Sequence, residues 1–474
     1  MTQLVMKSLV VADQESGRER RYRLLEMIRQ YAREKLVESS EEEKIRDRHL
    51  KYFLQLSETF EVQVIGHRQE EWFLRANDER DNLRAALHWA NRTDLEAGLY
   101  ISARLLAYWE ISNLREGIQW LETFLNKSES RDFPLARAAA LLTYGWLLTW
   151  LQRFIPARTA TQESLSLFRT TGDRRGEIDS LISLANISQF TDALDSGTEL
   201  LHQALTLSQA LGDRWRQAES LGFLGWDRRD QKQAFLHWEK AIELYREVGD
   251  QLARANLLGL LGLFKVLNGE FEVGEKYLNE ATLLWESKSR TNVWEHTKTT
   301  KSLILLARGE FEQAYQVLQD ALASAQKIGN RMSYLWQKVR LGYAALYAGN
   351  LGEAHDTFVE TTQNFHRDGY TVGVVFAVEG IATLLVTTSK HEKAAQLLGW
   401  ADATREQIHD NRPLIEEANI YRNMSAIIAR IGPSAFEVAY DDGRSMTSDE
   451  AVRFALGEEG KKMILQPPIE FDVK

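Results

Sequence analysis

The chain has 474 residues, 44% of them hydrophobic and only six of them proline, a composition that suits long helices with one buried face. Its 58 basic and 68 acidic residues give a formal net charge of −10, which argues against a surface that docks throughout on nucleic acid or membrane. The absence of cysteine excludes disulfides and thiolate chemistry. Without a signal-peptide core or a run long enough to span a bilayer, we expect a cytoplasmic protein with no membrane partner.

The first forty residues differ in pattern from the rest. Residues 8–24 alternate apolar and polar side chains around a polar turn at Glu15-Ser16-Gly17, which predicts a β-hairpin. Residues 21–36 place apolar side chains at helical spacing, which predicts a helix. Arginines are concentrated here and could contact DNA phosphates, pair with acids of the neighbouring helix, or contact another protein module. They are Arg18, Arg20, Arg21, Arg23, Arg29 and Arg33.

A short break then recurs every 37 to 40 residues. Before the first clear repeat, Ser112-Asn113-Leu114 predicts the loop of a degenerate hairpin that caps the N-terminal end. The clear breaks define seven units, and each unit is predicted to be a pair of antiparallel helices. The breaks are Gln152-Arg153-Phe154, Asp192-Ala193, Arg229-Asp230, Gly269-Glu270-Phe271, Gly309-Glu310-Phe311, Gly349-Asn350-Leu351 and Ser389-Lys390-His391.

Two columns of small residues keep the same register as the breaks. Small side chains that face each other across a turn allow two helices to approach closely. The column seven residues before each break contains Gly145, Ala185, Gly222, Gly262, Ser302, Gly342 and Ala382. The column five residues after each break contains Ala157, Gly197, Ala234, Gly274, Ala314, Ala354 and Ala394.

Successive units are joined at a second kind of break. Glycine suits the left-handed end of one helix, and Asp or Asn can cap the helix that follows. These junctions are Gly172-Asp173, Gly212-Asp213, Gly249-Asp250 and Gly329-Asn330.

The small columns, with a bulky residue in the second helix such as Trp238 or Phe358, resemble the tetratricopeptide repeat over residues 130–410. The resemblance implies an all-α fold in which αα-hairpins form a right-handed superhelix. That family usually repeats every ~34 residues, so the longer period here implies longer helices. Beyond the array, residues 414–431 and 448–456 predict two further helices, the second capped by Thr447 or Ser448.

The run SLV…GRERRYRLLE, Trp72, and DNLRAALHWA at residues 81–90 resemble a segment of large bacterial signal-transduction ATPases of the LuxR/MalT-like type. In these regulators a nucleotide-binding module and a winged helix precede a tetratricopeptide-like sensor. The resemblance covers residues 1–457. It implies that this chain contains the sensor and a winged-helix remnant, and that a separate ATPase or DNA-binding module is a partner. The predicted regions are 1–37 (remnant and linker helix), 38–130 (helical cap), 131–410 (repeats), 411–457 (C-terminal caps) and 458–474 (flexible tail).

Motifs for catalysis are not found in the sequence. No GxxxxGK[ST] motif occurs, and Gly460-Lys461 lacks the spacing of a phosphate-binding loop. The ten histidines show no metal-ligand spacing, and no glycine-flanked serine elbow is present. We therefore expect no enzyme activity, no cofactor and no metal.

The strongest functional candidates are the side chains expected on the inner face of the superhelix. In tetratricopeptide-like arrays the first helix of each hairpin faces that side, and the register of the small column selects the positions. Aromatic rings with amide, imidazole and guanidinium groups would suit a protein, a peptide or a small-molecule inducer, although packing within the repeats is the alternative. They are Trp146, Asn186, Arg216, Phe223, Trp226, Asn256, His296, Trp336 and Tyr343.

The sequence thus predicts a scaffold that binds a protein or an effector, as the sensor part of a bacterial transcriptional or signalling regulator. The alternative is a DNA-binding regulator that acts through the basic N-terminal remnant.

Overall fold

The computed structural model describes residues 2–7, 9–13, 21–189, 194–227, 230–286, 295–328 and 331–457. These residues are helical throughout, apart from one pair of short strands and the turns between helices. No helix within these ranges is long and apolar enough to cross a membrane. Several sequence predictions fall outside them: the turn at residues 15–17, the break Asp192-Ala193, Arg229 of the third break, the junction Gly329-Asn330 and the tail from residue 458.

The N-terminal segment contains the predicted hairpin. After a short helix α1 (Thr2–Met6), β1 (Val10–Asp13) pairs antiparallel with β2 (Arg21–Leu24), with Val10 opposite Leu24. Helix α2 (Glu26–Glu38) follows directly. The prediction that the helix includes residues 21–24 is wrong, because these residues are extended and paired with β1.

Six helices and one short 3-10 helix then form the cap before the first clear unit. Asn113 accepts a hydrogen bond from the backbone N–H of Glu116, 3.1 Å away, and starts a new helix at the break that the sequence predicts. The elements are α3 (Glu42–Gln63), α4 (Gln69–Asp78), α5 (Arg80–Thr93), α6 (Leu95–Arg104), α7 (Leu106–Ser112), α8 (Leu114–Leu125) and the 3-10 helix Ser128–Asp132.

Seven helical hairpins follow, and we number them as units 1 to 7. In chain order they are α9 (Pro134–Trp150) with α10 (Phe154–Thr171), α11 (Arg174–Gln189) with α12 (Leu194–Ala210), α13 (Arg214–Leu224) with α14 (Gln231–Val248), α15 (Gln251–Leu267) with α16 (Phe271–Glu286), α17 (Glu295–Ala307) with α18 (Phe311–Ile328), α19 (Arg331–Tyr347) with α20 (Leu351–Arg367), and α21 (Thr371–Thr387) with α22 (His391–Gln407). First helices of successive units pack more closely on one another than second helices do. The array therefore curves, and the first helices line its inner side.

The left-handed backbone that the sequence predicts for the junction glycines is found at those that the structure describes, and it also occurs at the breaks between the two helices of a unit. Gly269, Gly309 and Gly349 have φ of 79°, 76° and 84°, the left-handed region in which glycine carries no steric penalty. At the same register Gln152 and Ser389 also adopt positive φ, 60° and 62°, without being glycine. Position in the repeat, and not residue type alone, sets the turn.

The small columns allow helices to touch backbone to backbone. A Cβ added at Gly262 would lie 3.1 Å from the carbonyl oxygen of Gly274, and one added at Gly274 would lie 2.9 Å from that of Gly262. At Gly342 the added carbon would lie 2.8 Å from the ring of Phe358. The two helices of a unit therefore fit only with small residues at these positions.

Three helices close the C-terminal end: α23 (Leu414–Ile431), α24 (Pro433–Arg444) and α25 (Ser448–Leu456). The predicted cap of α25 is confirmed, because Thr447 and Glu450 form a reciprocal capping box. Helix α24 was not predicted. It starts where Gly432, at φ 84°, turns the chain and Pro433 occupies the first helical position, a signal that the sequence does contain.

We predict that Gly274→Ala lowers the free energy of unfolding by about 1–3 kcal/mol, because the new methyl group would overlap Val266, 2.5 Å away, and the Gly262 carbonyl. Gly222→Ala is the matched control. Its added carbon meets nothing closer than 3.8 Å, so the change should be neutral or stabilise by up to about 1 kcal/mol. Urea denaturation followed by circular dichroism measures both, and equal midpoints would contradict the packing described here.

Candidate functional site

The predicted inner residues lie on the first helices or just after them, and none of those described is exposed. Eight of the nine are partly buried: Trp146, Asn186, Arg216, Phe223, Trp226, Asn256, Trp336 and Tyr343. The side chain of the ninth, His296, lies outside the described part of the chain. They divide into a group on α9 to α15 and a group on α19.

Trp146 and Phe223 meet across the inner side. They belong to units 1 and 3, yet their ring centroids are 6.0 Å apart in an edge-to-face arrangement. The indole Nε1 of Trp146 donates to Glu110 Oε1 at 2.6 Å, and that of Trp150 donates to the same oxygen at 2.9 Å. Glu110 thus joins α7 to α9, and the curvature of the array brings α13 against α9.

Arg216 is held by two carboxylates of the chain itself. Its Nε and Nη2 donate to the two oxygens of Asp179 at 2.8 and 2.6 Å, and its Nη1 donates to Asp213 at 2.9 Å. Burial alone would lower the pKa of Arg216, but these partners raise it above its usual range, so the guanidinium stays charged. Its first role is to join units 2 and 3.

Acidic side chains are gathered on this side of the array. We call Glu110, Asp179, Glu219 and Asp250 the inner carboxylate cluster. Burial raises the pKa of each of the four carboxyls. At Glu219 the negative charges of the other three add to this effect and raise its pKa to about 7, although the Tyr245 hydroxyl donates to it and opposes the change.

Asp250 ties the inner side to the N-terminal cap. It accepts from the Ala253 N–H at 2.9 Å and so caps α15. It also accepts from Gln69 Nε2 on α4 at 2.7 Å and from Trp215 Nε1 at 2.9 Å. Gln69 and Asp250 are 181 residues apart, so the array curls far enough for its start to contact unit 4.

The remaining predicted residues pack mainly within the array. Trp226 lies edge-on to Trp238 and Phe264, with centroids 5.9 and 6.2 Å away. Asn186 on α11 and Asn256 on α15 are partly buried, in units 2 and 4.

On α19 the two predicted aromatics are packed against unit 7. The ring of Trp336 lies 5.5 Å from that of Phe376, and Arg340 stacks over it at 5.0 Å. The hydroxyl of Tyr343 donates to the Phe376 carbonyl at 3.0 Å. These contacts fix both side chains in one orientation.

The basic N-terminal candidates are only partly described. Arg18 and Arg20 lie outside the described residues, and Arg21 and Arg23 are in β2, with side chains that are not described. The adjoining α2 has no buried residue, and its Met27 is 80% exposed. Within the described part of the chain, the apolar face of α2 is therefore not covered by another element.

Sequence reasoning missed the carboxylates. Asp179 is six residues before the small column, and Glu219 is three residues before it. The repeat register assigns both positions to the inner face, so it could have identified these two carboxylates. Glu110 lies before the clear repeats and had no such signal. Within the described ranges, no three His, Asp or Glu side chains are arranged to hold a metal ion.

Comparisons with known proteins identify relatives that are named as transcriptional regulators and a solved structure with this fold. Proteins named Putative HTH-type transcriptional regulator, from Mycobacterium bovis and two strains of Mycobacterium tuberculosis, are 24% identical over 98% of the chain. The chain spans 61% of the length of these relatives. No protein-family model matches the chain.

A solved structure shares the architecture. The crystal structure of a Rap protein complexed with competence and sporulation factor superposes with a TM-score of 0.53 at 13% sequence identity. The match covers 77% of this chain and 99% of that one. It confirms the tetratricopeptide-like helical repeat that the sequence predicts.

We predict that Glu219 makes folding stability depend on pH. Its folded-state pKa of about 7 lies above the ordinary 4.5, so its stabilising contribution is fully present below pH 4.5 and is lost as the pH rises through 7. Glu219→Gln keeps an acceptor for Tyr245 but does not titrate. Between pH 4.5 and 8 the free energy of unfolding should therefore fall by about 2–3 kcal/mol less in the variant than in the unmodified chain.

Urea denaturation at the two pH values provides the measurement. Glu239→Gln, at an exposed position of α14, is the matched control and should follow the unmodified chain. If Glu219→Gln and the control show the same pH dependence, Glu219 does not titrate in this range.

Proposed function

We propose that this chain is the partner-binding, sensor part of a transcriptional regulator of the LuxR/MalT-like kind, and that it binds a basic polypeptide segment on its inner side. The observation that carries this proposal is the partly buried surface in which Trp146, Phe223 and Glu110 meet. This surface adjoins the inner carboxylate cluster.

The charge of this surface favours a cationic partner. The cluster supplies four carboxyls, whereas Arg216 is a cation in direct contact with only one of them, Asp179. A lysine or arginine side chain placed near Glu110 or Glu219 would favour the ionised carboxylate and lower its raised pKa. Binding near Glu219, whose pKa is about 7, would therefore release a proton near neutral pH.

The rings supply the apolar part of the recognition. Tryptophan and tyrosine in partly desolvated concave settings are frequent hot spots of interfaces. A guanidinium group can also stack on an indole face. Trp146 is held in place by Glu110 and Phe223, so little side-chain freedom is lost when a partner binds.

The comparisons support the regulatory part of the proposal. The relatives are named as transcriptional regulators, and they extend beyond the segment that this chain matches. The Rap protein shows that a fold of this kind occurs in complex with a bound factor. We infer that this chain also binds a partner, on its inner side, with DNA binding supplied by another module.

We test the proposal with a displayed library of random 12-residue peptides, selected on the purified chain and resynthesised with a fluorescent label. Selected peptides should have net positive charge. Trp146→Ala should weaken their binding by about 2 kcal/mol or more, as expected for a hot spot, with unchanged helical circular dichroism. Fluorescence anisotropy gives the dissociation constants.

Leu283→Ala is the control, because Leu283 is 69% exposed on the second helix of unit 4. This variant should bind the peptides like the unmodified chain. Selection of acidic peptides would contradict a basic partner, and binding that depends on Leu283 and not on Trp146 would place the site on the outer side.

A further inference from the structure

Helix α23 lies across the inner side of units 4 to 7. It contacts α15 of unit 4 as well as α21 and α22 of unit 7. A terminal helix that only continued the array would contact the last unit alone, because each unit of a repeat array packs on its neighbours. This placement makes α23 different from the other helices at the C-terminal end.

Four side chains on one ridge of α23 make these contacts. Ile415 packs on the apolar cluster of Val266, Leu278 and Ile304 in units 4 and 5. Four residues on, Asn419 Nδ2 donates to the Tyr347 hydroxyl of unit 6 at 3.1 Å.

The same ridge continues into unit 7. Asn423 Nδ2 donates to Thr383 Oγ1 at 2.9 Å, and Ile427 is completely buried in the last core. Residues spaced by four form a ridge along a helix, about 18 Å long for these four positions.

Helix α23 has a smaller share of buried residues than the helices that pack beside it. Only Ile420 and Ile427 of its 18 residues are fully buried, whereas eleven of the 17 residues of α21 are. Tyr421 and Leu414 are 62% and 60% exposed. A helix with this little buried apolar surface is expected to separate from the array more readily than its neighbours.

The segments on either side of α23 are held mainly by contacts outside it, although Glu416 of α23 also lies 3.7 Å from Arg405. Before it, Arg412 donates to Glu379 Oε1 at 2.6 and 2.9 Å, and Arg405 forms two further bonds with Glu379. After it, Gly432 has φ 84° and ψ 158°, a conformation open essentially to glycine alone. Helix α24 then packs on α22, where Gly443 meets the backbone of Gln396.

We propose that α23 is an exchangeable internal ligand, and that an amphipathic helix of a partner protein takes its place on units 4 to 7. The partner helix would carry the same four-position pattern: a branched apolar residue, two side-chain amides and a second branched apolar residue, each four residues apart. Tyr347 and Thr383 recognise the amides, and the Val266 cluster receives the first apolar residue. Only the claim that an external partner uses this site depends on the proposed function.

The probe is a fluorescent synthetic peptide of residues 412–432. In the unmodified chain α23 competes with it at an effective concentration in the millimolar range. The triple variant Ile415→Ala, Asn419→Ala and Asn423→Ala weakens the internal helix, so it should bind the peptide at least about tenfold more tightly than the unmodified chain. Tyr421→Ala with Ser425→Ala, on the exposed face of α23, is the matched control and should bind like the unmodified chain.

A second pair of measurements keeps the test decisive if the triple variant does not fold. Thr383→Cys with Asn423→Cys places the only two cysteines of the chain where a hydrogen bond now joins the helices. Oxidation fixes α23 in place, and the oxidised chain should bind the peptide at least about tenfold more weakly than the reduced chain. Equal affinity of the two forms, or no gain in the folded triple variant, would show that α23 is a permanent brace and would overturn the proposal.

These outcomes are separate from those of the inner-side peptide selection. That selection depends on Trp146 in unit 1, whereas exchange of α23 depends on Tyr347 and Thr383 in units 6 and 7. Basic peptides that bind with no exchange of α23 would refute only the present inference. Exchange without selection of basic peptides would refute only the site near Trp146.

Discussion

The close approach of the two helices in each unit is the constraint on which the rest of the structure depends. Gly262 and Gly274 face each other with no room for an additional carbon, and the other units use Gly, Ala or Ser at the same positions. First helices of successive units pack more closely on one another than second helices do, so a small rotation is repeated at each of the six junctions between the seven units. The sum of these rotations brings Trp146 to Phe223 and Gln69 to Asp250.

Curvature also explains the electrostatics of the inner side. First helices that converge remove water from their facing side chains, so carboxyls on neighbouring units act on one another at low solvent exposure. Arg216 offsets this repulsion at Asp179, whereas among the described residues the hydrogen-bond partner of Glu219 is the phenol of Tyr245. The inner side therefore contains a proton-sensitive group and a fixed ion pair within the same few turns of helix.

The two halves of the array use their inner sides differently. Units 1 to 4 expose part of an acidic and aromatic surface beside the N-terminal cap, whereas units 4 to 7 are crossed by α23. Unit 4 is part of both halves, because Asp250 caps the start of its first helix and Val266, in the last turn of that helix, lies in the cluster that Ile415 of α23 contacts. Helix α15 therefore contacts α23, while the Asp250 that caps it contacts Gln69 of the N-terminal cap.

The sequence by itself determined the repeat, the breaks, the small columns and the capping of α25, because each depends on backbone conformation or contacts within about forty residues. It misplaced the start of α2, since strand pairing with residues 10–13 overrides the helical pattern of residues 21–24. The register of the repeat also predicted Trp146 and Phe223 as residues of the inner face. Only the tertiary structure decided that these rings touch and that Glu110 accepts hydrogen bonds from the indoles of Trp146 and Trp150. The same is true of the path of α23, which turns back across the inner side. These contacts join residues that are far apart in the chain, and they depend on the accumulated curvature of many units, which no local pattern records.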